Sequence, residues 1–125
     1  MRLLLDTHAI LWWLSDDPRL STTARAAIAD LANELTVSAA AAYEMVYKQR
    51  LGKLQPLPEP LATRLRREGI AVLPITIEHA VAAARLRGPH RDPWDRIMVA
   101  QATIEGLTVV TIDQVFDDYR IAVLW

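Results

Sequence analysis

Short, continuously apolar runs alternate with segments of helical character along the whole of this 125-residue chain. Strands buried in a parallel sheet have this apolar composition, and each crossover between parallel strands needs a connecting segment, usually a helix. Five such runs occur, and in chain order they are RLLL, LTV, IAVL, LTVV and IAVLW. The pattern therefore predicts an α/β fold with a central parallel five-stranded sheet, flanked by helices on both faces in the doubly wound arrangement.

The chain length and the uniform patterning predict a single domain that spans residues 1–125. The absence of cysteine excludes zinc ribbons, iron–sulfur clusters and thiol nucleophiles. A formal net charge of -1 gives no global sign of nucleic-acid binding, so any such binding depends on local patches. No leader-like segment or apolar run of membrane-spanning length is present, and we expect a cytoplasmic protein without a membrane partner.

Helical periodicity and turn residues place the remaining elements. The first helix is predicted over Ala9–Leu14, after the first strand. The prolines at Pro56, Pro58 and Pro60 predict a turn that leads into an arginine-rich helix. A polar loop is predicted over residues 114–119, before the last strand.

Four carboxylates lie at or just beyond the predicted carboxyl ends of strands. Asp6 and Asp113 directly follow strands, Glu44 lies on the helix after the second strand, and Asp95 lies in the first turn of a later helix. Ligands of open parallel sheets collect at this edge. Carboxylates brought close together either take up protons or hold a cation, and oxygen ligands favour Mg²⁺, with Mn²⁺ as a substitute.

Each acid also has a structural interpretation. Asp92 directly precedes Pro93, so helix capping alone accounts for it, and Asp95 suits the first turn of a helix through the helix dipole. Glu44 can face solvent, and Asp113 can start a turn. Asp6 is harder to explain in this way, because an ionised acid closing a strand of leucines lacks an obvious partner.

Two further groups of residues stand out. Arg91 and Arg96 flank the aspartates and are candidates for contacts with RNA phosphate, although a solvated loop explains them equally well. Trp12 and Trp13 are expected to serve the core and a contact between subunits rather than base stacking.

Four segments in this order resemble the motifs of the PIN-domain nucleases, and among them the VapC-type bacterial toxins. The segments are LLLDTHAILWWL, VSAAAAYEMVYKQRLGKL, HRDPWDRIMVAQA and LTVVTIDQVFDDYRIAVLW, which together cover nearly the whole chain. The resemblance implies magnesium- or manganese-dependent endonucleolytic cleavage of RNA by a metal-activated water. It also implies two partners, a cognate antitoxin in a type II toxin–antitoxin pair and a second copy of the chain.

By motif, Asp6 matches the first acid of the family, Glu44 the second, Asp95 the third and Asp113 the last. These four residues are the predicted catalytic and metal-binding set. Asp92, Thr7 and Thr111 are additional candidates, because they neighbour the acids in the same motifs.

Two other classes of function compete with this interpretation. Phosphatases of the haloacid dehalogenase type also begin with an aspartate after a strand, but they need a second acid two residues later, and that position here is His8. The other alternative is a non-catalytic module of the same fold that binds RNA or a protein partner. Metal binding without cleavage would favour that alternative.

Overall fold

A computed structural model of the chain, which describes residues 1–57 and 59–125, contains one five-stranded sheet in which every pairing is parallel. Pro58, part of the predicted proline turn, lies outside the described residues. The strand order is β3-β2-β1-β4-β5. The strands are β1 (Arg2–Leu5), β2 (Glu34–Ser38), β3 (Ile70–Leu73), β4 (Thr108–Val110) and β5 (Val123–Leu124). The α/β fold with a central parallel sheet is therefore confirmed.

Helices connect the strands. They are α1 (Thr7–Leu14), α2 (Thr22–Ala29), α3 (Ala39–Arg50), α4 (Leu61–Arg67), α5 (Ile77–Arg85), α6 (Pro93–Glu105) and α7 (Val115–Asp118). Within the described ranges, no helix is both long enough and apolar enough to cross a membrane.

Strand β1 occupies the centre of the sheet. Leu5 aligns with Val37 of β2 on one side and with Val110 of β4 on the other. The three leucines of β1 are fully buried, as expected for a strand covered on both faces. Because the strand order reverses at β1, the crevice beyond its carboxyl end is where this fold binds ligands.

Two local predictions differ from the structure. Helix α1 begins at Thr7 rather than Ala9, because the side chain of Asp6 caps it. The predicted loop over residues 114–119 contains the short helix α7, since Val115 and Phe116 are drawn into the core.

Trp12 of α1 lies largely in the core. Trp12 is only 8% exposed, and its ring lies against His8, Trp125 and the guanidinium of Arg19. Its predicted place in the core is therefore confirmed, while the predicted subunit contact by this helix stays a prediction.

Candidate active site

Asp6 is the first residue after β1 and also the N-cap of α1. Its Oδ1 accepts a hydrogen bond of 2.7 Å from the amide of Ala9, and its Oδ2 accepts one from the hydroxyl of Thr111. The side chain is 5% exposed, and this burial raises the pKa of the Asp6 carboxyl, against the opposing effect of the two hydrogen bonds. Asp6 is therefore a buried acid at the point where the strand order of the sheet reverses, and its charge is only partly compensated.

Glu44 reaches the same edge from α3. Its Oε1 accepts a hydrogen bond from the hydroxyl of Thr7, and its Oε2 lies 3.3 Å from Nζ of Lys48, one helical turn further on. Glu44 is therefore held on one side by α1 and on the other by its own helix. The interpretation that it merely faces solvent does not fit this placement.

Helix α6 contributes two aspartates at its start. Asp92 is the N-cap, and its Oδ1 accepts hydrogen bonds from the amides of Trp94 at 2.9 Å and Asp95 at 3.3 Å. Pro93 occupies the first helical turn, as the sequence predicts. The capping role of Asp92 is thus present in the structure, and its remaining carboxylate oxygen is not used by the cap.

Asp113 follows β4 and is linked to Asp6 through Thr111. The hydroxyl of Thr111 donates to Asp6 and accepts a hydrogen bond of 2.9 Å from the amide of Asp113. The Asp113 carboxylate in turn accepts a hydrogen bond of 3.0 Å from the amide of Val115, at the start of α7. One threonine hydroxyl therefore fixes the relative position of two acids from opposite ends of the chain.

The four predicted acids line one cleft with a volume of 190 Å³. Its walls also include Asp92 and Thr7, whereas Thr111 supports the cleft from behind. The full lining is Asp6, Thr7, His8, Glu44, Lys48, Asp92, Asp95, Met98, Asp113 and Phe116. The sequence-predicted acids thus lie together, although they come from four separate segments of the chain.

The charge of the cleft is most evident at Asp95, which is half-buried. Burial is the first cause that raises the pKa of this carboxyl to about 7, and repulsion by nearby carboxylates is the second. The repelling residues are Asp92, Asp113, Glu44 and Asp6, in decreasing order of effect. The raised pKa thus reflects burial first and the neighbouring carboxylates second, and the cleft lining has five acids against one lysine.

This donor set fits a hard divalent cation. The acidic groups of the cleft are all oxygen donors, and the raised pKa of Asp95 indicates that a cation would relieve repulsion there. Among the described residues, no three His, Cys, Asp or Glu side chains converge closely enough to hold an ion by themselves. Mg²⁺ keeps several water ligands in protein sites, so one or two direct carboxylates suffice for it.

The two predicted phosphate-binding arginines lie elsewhere. Arg91 and Arg96 line a separate hollow of 310 Å³ with residues of α5 and α6. The guanidinium of Arg96 donates to the carbonyls of Ala83, Leu86 and His90, which ties the end of α5 to the following loop. Arg96 therefore has a structural role in the protein, and its contact with RNA stays a prediction.

Lys48 is one cleft residue that was not predicted from the sequence. It lies four residues after Glu44, and this spacing on a helix is the signal that could have identified it. His8 also lines the cleft, stacked on Trp12 with ring centroids 5.3 Å apart. Both residues place positive or polar groups beside the acids.

Comparison with known proteins gives consistent results. A family model described as the PIN domain matches residues 3–122. Ribonuclease VapC22 of Mycobacterium tuberculosis is 32% identical over 120 residues, which cover 94% of this chain and 91% of that protein. In fold, the chain is similar to the crystal structure of VapBC2 from Rickettsia felis bound to a promoter DNA fragment, with a TM-score of 0.70, 18% identity and coverage of 98% and 97% of the two chains. It is also similar to FitAcB from Neisseria gonorrhoeae, with a TM-score of 0.65, 22% identity and coverage of 97% and 95%.

Proposed function

This chain belongs to the PIN domain family, and from that premise we propose that it is a divalent-metal-dependent endoribonuclease that hydrolyses RNA phosphodiester bonds. One observation supports the proposal above all. Four acids line a single cleft beyond the point where the strand order of the sheet reverses, and they are Asp6, Glu44, Asp95 and Asp113. A relative of similar length that is named a ribonuclease supports the same conclusion.

Asp6, Asp95 and Asp113 are the proposed ligands of one or two Mg²⁺ ions, with Mn²⁺ as a substitute. When bound, such an ion activates a water molecule for attack and neutralises charge on the phosphate in the transition state. The protein orients this ligand through hydrogen bonds. The amide of Ala9 and the hydroxyl of Thr111 hold the two carboxylate oxygens of Asp6 in fixed directions. Outer groups of this kind orient the ligands of a metal site.

Glu44 has a different proposed role from the other three acids. Its carboxylate is held between Thr7 and Lys48, at one wall of the cleft. From there it can orient the attacking water or hold a second ion. Lys48 offsets one negative charge of the cleft, which lowers the cost of bringing an anionic phosphate towards it.

The products follow from the use of water as nucleophile. The chain has no cysteine, and no pair of histidines lies in the cleft lining. We therefore expect fragments with a 5′-phosphate and a 3′-hydroxyl. Detection of 2′,3′-cyclic phosphate ends would contradict this mechanism, because such ends require attack by the 2′-hydroxyl of the RNA itself.

The proposal also includes biological partners. We infer that the chain is the toxin of a type II toxin–antitoxin pair, binds a cognate antitoxin, forms a homodimer and acts in the cytoplasm. Support for the antitoxin comes from proteins of similar fold, one of which is a toxin–antitoxin complex from Klebsiella pneumoniae with a TM-score of 0.55.

The direct test is cleavage of a mixed pool of single-stranded and structured RNAs by the purified chain, freed of any partner. We expect cleavage in magnesium, no cleavage in EDTA, and no cleavage by Asp6→Asn. Asp117→Asn is a matched control, since Asp117 is an exposed aspartate in the first turn of α7 and does not line the cleft.

The possible results separate the two functions that the family fold can support. Magnesium-dependent cleavage that is lost in Asp6→Asn and kept in Asp117→Asn supports the nuclease. Metal binding in calorimetry without cleavage of any RNA in the pool would instead favour a non-catalytic binding module.

A further inference from the structure

Lys48 contributes an ammonium group to the lining of the acidic cleft, from the last turn of α3. Its Nζ lies 3.3 Å from Oε2 of Glu44, and its side chain is only 32% exposed. Long cationic side chains ordinarily extend their charged end into water. Lys48 instead directs its charge towards the acids of the cleft.

The stability of α3 does not account for this placement. A cation in the last turn of a helix interacts favourably with the helix dipole. Arg50 lies in the same turn and can make this interaction from the exposed surface, outside the cleft lining. A lysine that pointed into solvent at position 48 would serve the helix end equally well. The position of Lys48 in the cleft therefore has another reason.

The carboxylate of Glu44 is engaged at both oxygens. Its Oε1 accepts a hydrogen bond from the hydroxyl of Thr7, and its Oε2 faces the ammonium of Lys48. A divalent ion bound to Oε2 would share that oxygen with a second positive charge. Two cations so close together repel each other strongly in a partly buried site. Glu44 is thus paired with Lys48 and is a poor site for a second metal ion.

The other acids of the cleft suit a single ion. Asp6, Asp95 and Asp113 are its proposed ligands, and Mg²⁺ needs only one or two direct carboxylates. A two-metal site holds its ions about 3.5–4 Å apart and requires carboxylates that converge on both. Within residues 1–57 and 59–125, no three His, Cys, Asp or Glu side chains converge closely enough to hold an ion by themselves. This arrangement fits one ion that keeps several water ligands.

Hydrolysis of a phosphodiester nevertheless places negative charge on more than one oxygen in the transition state. In two-metal sites, the second ion neutralises part of that charge. An ammonium group can do the same, because it carries a full positive charge and three N–H donors. The pairing of Lys48 with Oε2 of Glu44 leaves donors of this ammonium for a phosphate oxygen.

We propose that the ammonium of Lys48 takes the place of a second metal ion in the acidic cleft. It stays paired with Glu44 and donates a hydrogen bond to a non-bridging oxygen of the scissile phosphate. This inference rests on the nuclease function proposed above and assigns one divalent ion to each chain. Lys48 is then a catalytic residue that keeps its proton throughout the reaction, and Glu44 holds it in position.

The first experiment counts metal ions on the chain without RNA, by Mn²⁺ titration followed with electron paramagnetic resonance. We expect one bound ion per chain for wild type and for Lys48→Arg, which keeps the charge. Lys48→Gln should bind two, because loss of the ammonium exposes Oε2 of Glu44 to a second ion. Arg50→Gln is the matched control, since it removes a positive charge from the same helix end outside the cleft, and it should bind one.

The second experiment follows RNA cleavage as the magnesium concentration rises. The kcat of Lys48→Gln should fall about 100-fold, since the phosphate loses a charged donor in the transition state. The dependence on magnesium should change from hyperbolic in wild type to sigmoidal in Lys48→Gln, with partial recovery at high magnesium. A lysine that only stabilised α3 would leave the shape of this curve unchanged. Arg50→Gln should match wild type in both respects.

Three results would overturn the proposal. Two bound Mn²⁺ ions in wild type would show that the ammonium does not occupy the second place. A single ion in Lys48→Gln would show that the ammonium does not exclude one, and an unchanged kcat in that variant would show that Lys48 makes no contact with the phosphate. Failure of wild type to cleave any RNA would instead contradict the nuclease, and with it the phosphate contact, while the ion counts would still report whether Lys48 excludes a second ion.

Discussion

Replacement of Asp95 by asparagine should stabilise the metal-free protein, although it removes a proposed metal ligand. The Asp95 carboxyl has a pKa of about 7 in the folded protein against an ordinary value of 3.8. The folded state thus binds a proton more tightly than the unfolded state, so the stability contributed by this group falls as pH rises from about 4 to 7. Above pH 7 the ionised carboxylate destabilises the fold, and Asp95→Asn removes that charge.

The magnitude follows from the size of the shift. A shift of roughly 3 units corresponds to about 4 kcal/mol at about 1.4 kcal/mol per unit, if none of it is screened. Because Asp95 is only half-buried, solvent screening reduces this value to about 1–2 kcal/mol. Loss of the favourable interaction between a first-turn aspartate and the helix dipole costs about 0.5 kcal/mol in return. We therefore expect Asp95→Asn to be more stable than wild type by about 1 kcal/mol at pH 8.

Thermal and urea denaturation in EDTA, from pH 4 to pH 8, measure this difference. The advantage of Asp95→Asn should be near zero at pH 4, grow towards pH 7 and then level off, with a gain in Tm of about 4 °C at pH 8. Asp117→Asn should follow wild type throughout. Addition of magnesium should reverse the order, since only the intact site gains stability from the ion. An Asp95→Asn protein that is less stable than wild type at pH 8 in EDTA would refute the argument from carboxylate repulsion.

Substitutions at three other residues separate structural from catalytic roles. Asp92→Asn should keep the helix cap and cleavage within about threefold, whereas Asp92→Ala should lower the free energy of unfolding by about 1 kcal/mol in urea titration; a large loss of cleavage in Asp92→Asn would make Asp92 a ligand. Thr111→Val should lower the cleavage rate about 10-fold or more in a gel assay because Asp6 loses its hydroxyl donor, and Thr111→Ser should restore it. Arg96→Met should cost about 2 kcal/mol of unfolding free energy, measured in urea, because three carbonyls lose a charged donor; unchanged stability would contradict the structural role of Arg96.

The parts of the fold that depend on local chemistry were predictable from the sequence. Asp92 caps α6, Pro93 starts it, and Gly106 ends it in the left-handed conformation with φ of 65°, all of which follow from the known preferences of these residues. The positions of Asp6 and Asp113 after apolar runs likewise placed them at one edge of a parallel sheet.

Features that depend on tertiary contacts were not predictable in the same way. Helix α7 is only four residues long and has no periodicity of its own, so its presence reflects the burial of Val115 and Phe116. The side chain of Arg96 was interpreted from its charge and neighbours in sequence, but the carbonyls that it binds belong to the end of α5 and the loop after it. The same limit applies to Tyr43, which contacts Trp94 of a distant helix.

The hydrogen bond between Thr111 and Asp6 also constrains when, during protein synthesis, the cleft can exist. It joins residues 105 positions apart, and β1 lies between β2 and β4 in the sheet. A nascent chain on the ribosome that has not yet released β4 and Thr111 has one open edge on β1 and no hydroxyl donor for Oδ2 of Asp6. The acidic cleft is therefore completed only when translation has nearly finished, so a chain cut short by interrupted synthesis cannot assemble the nuclease.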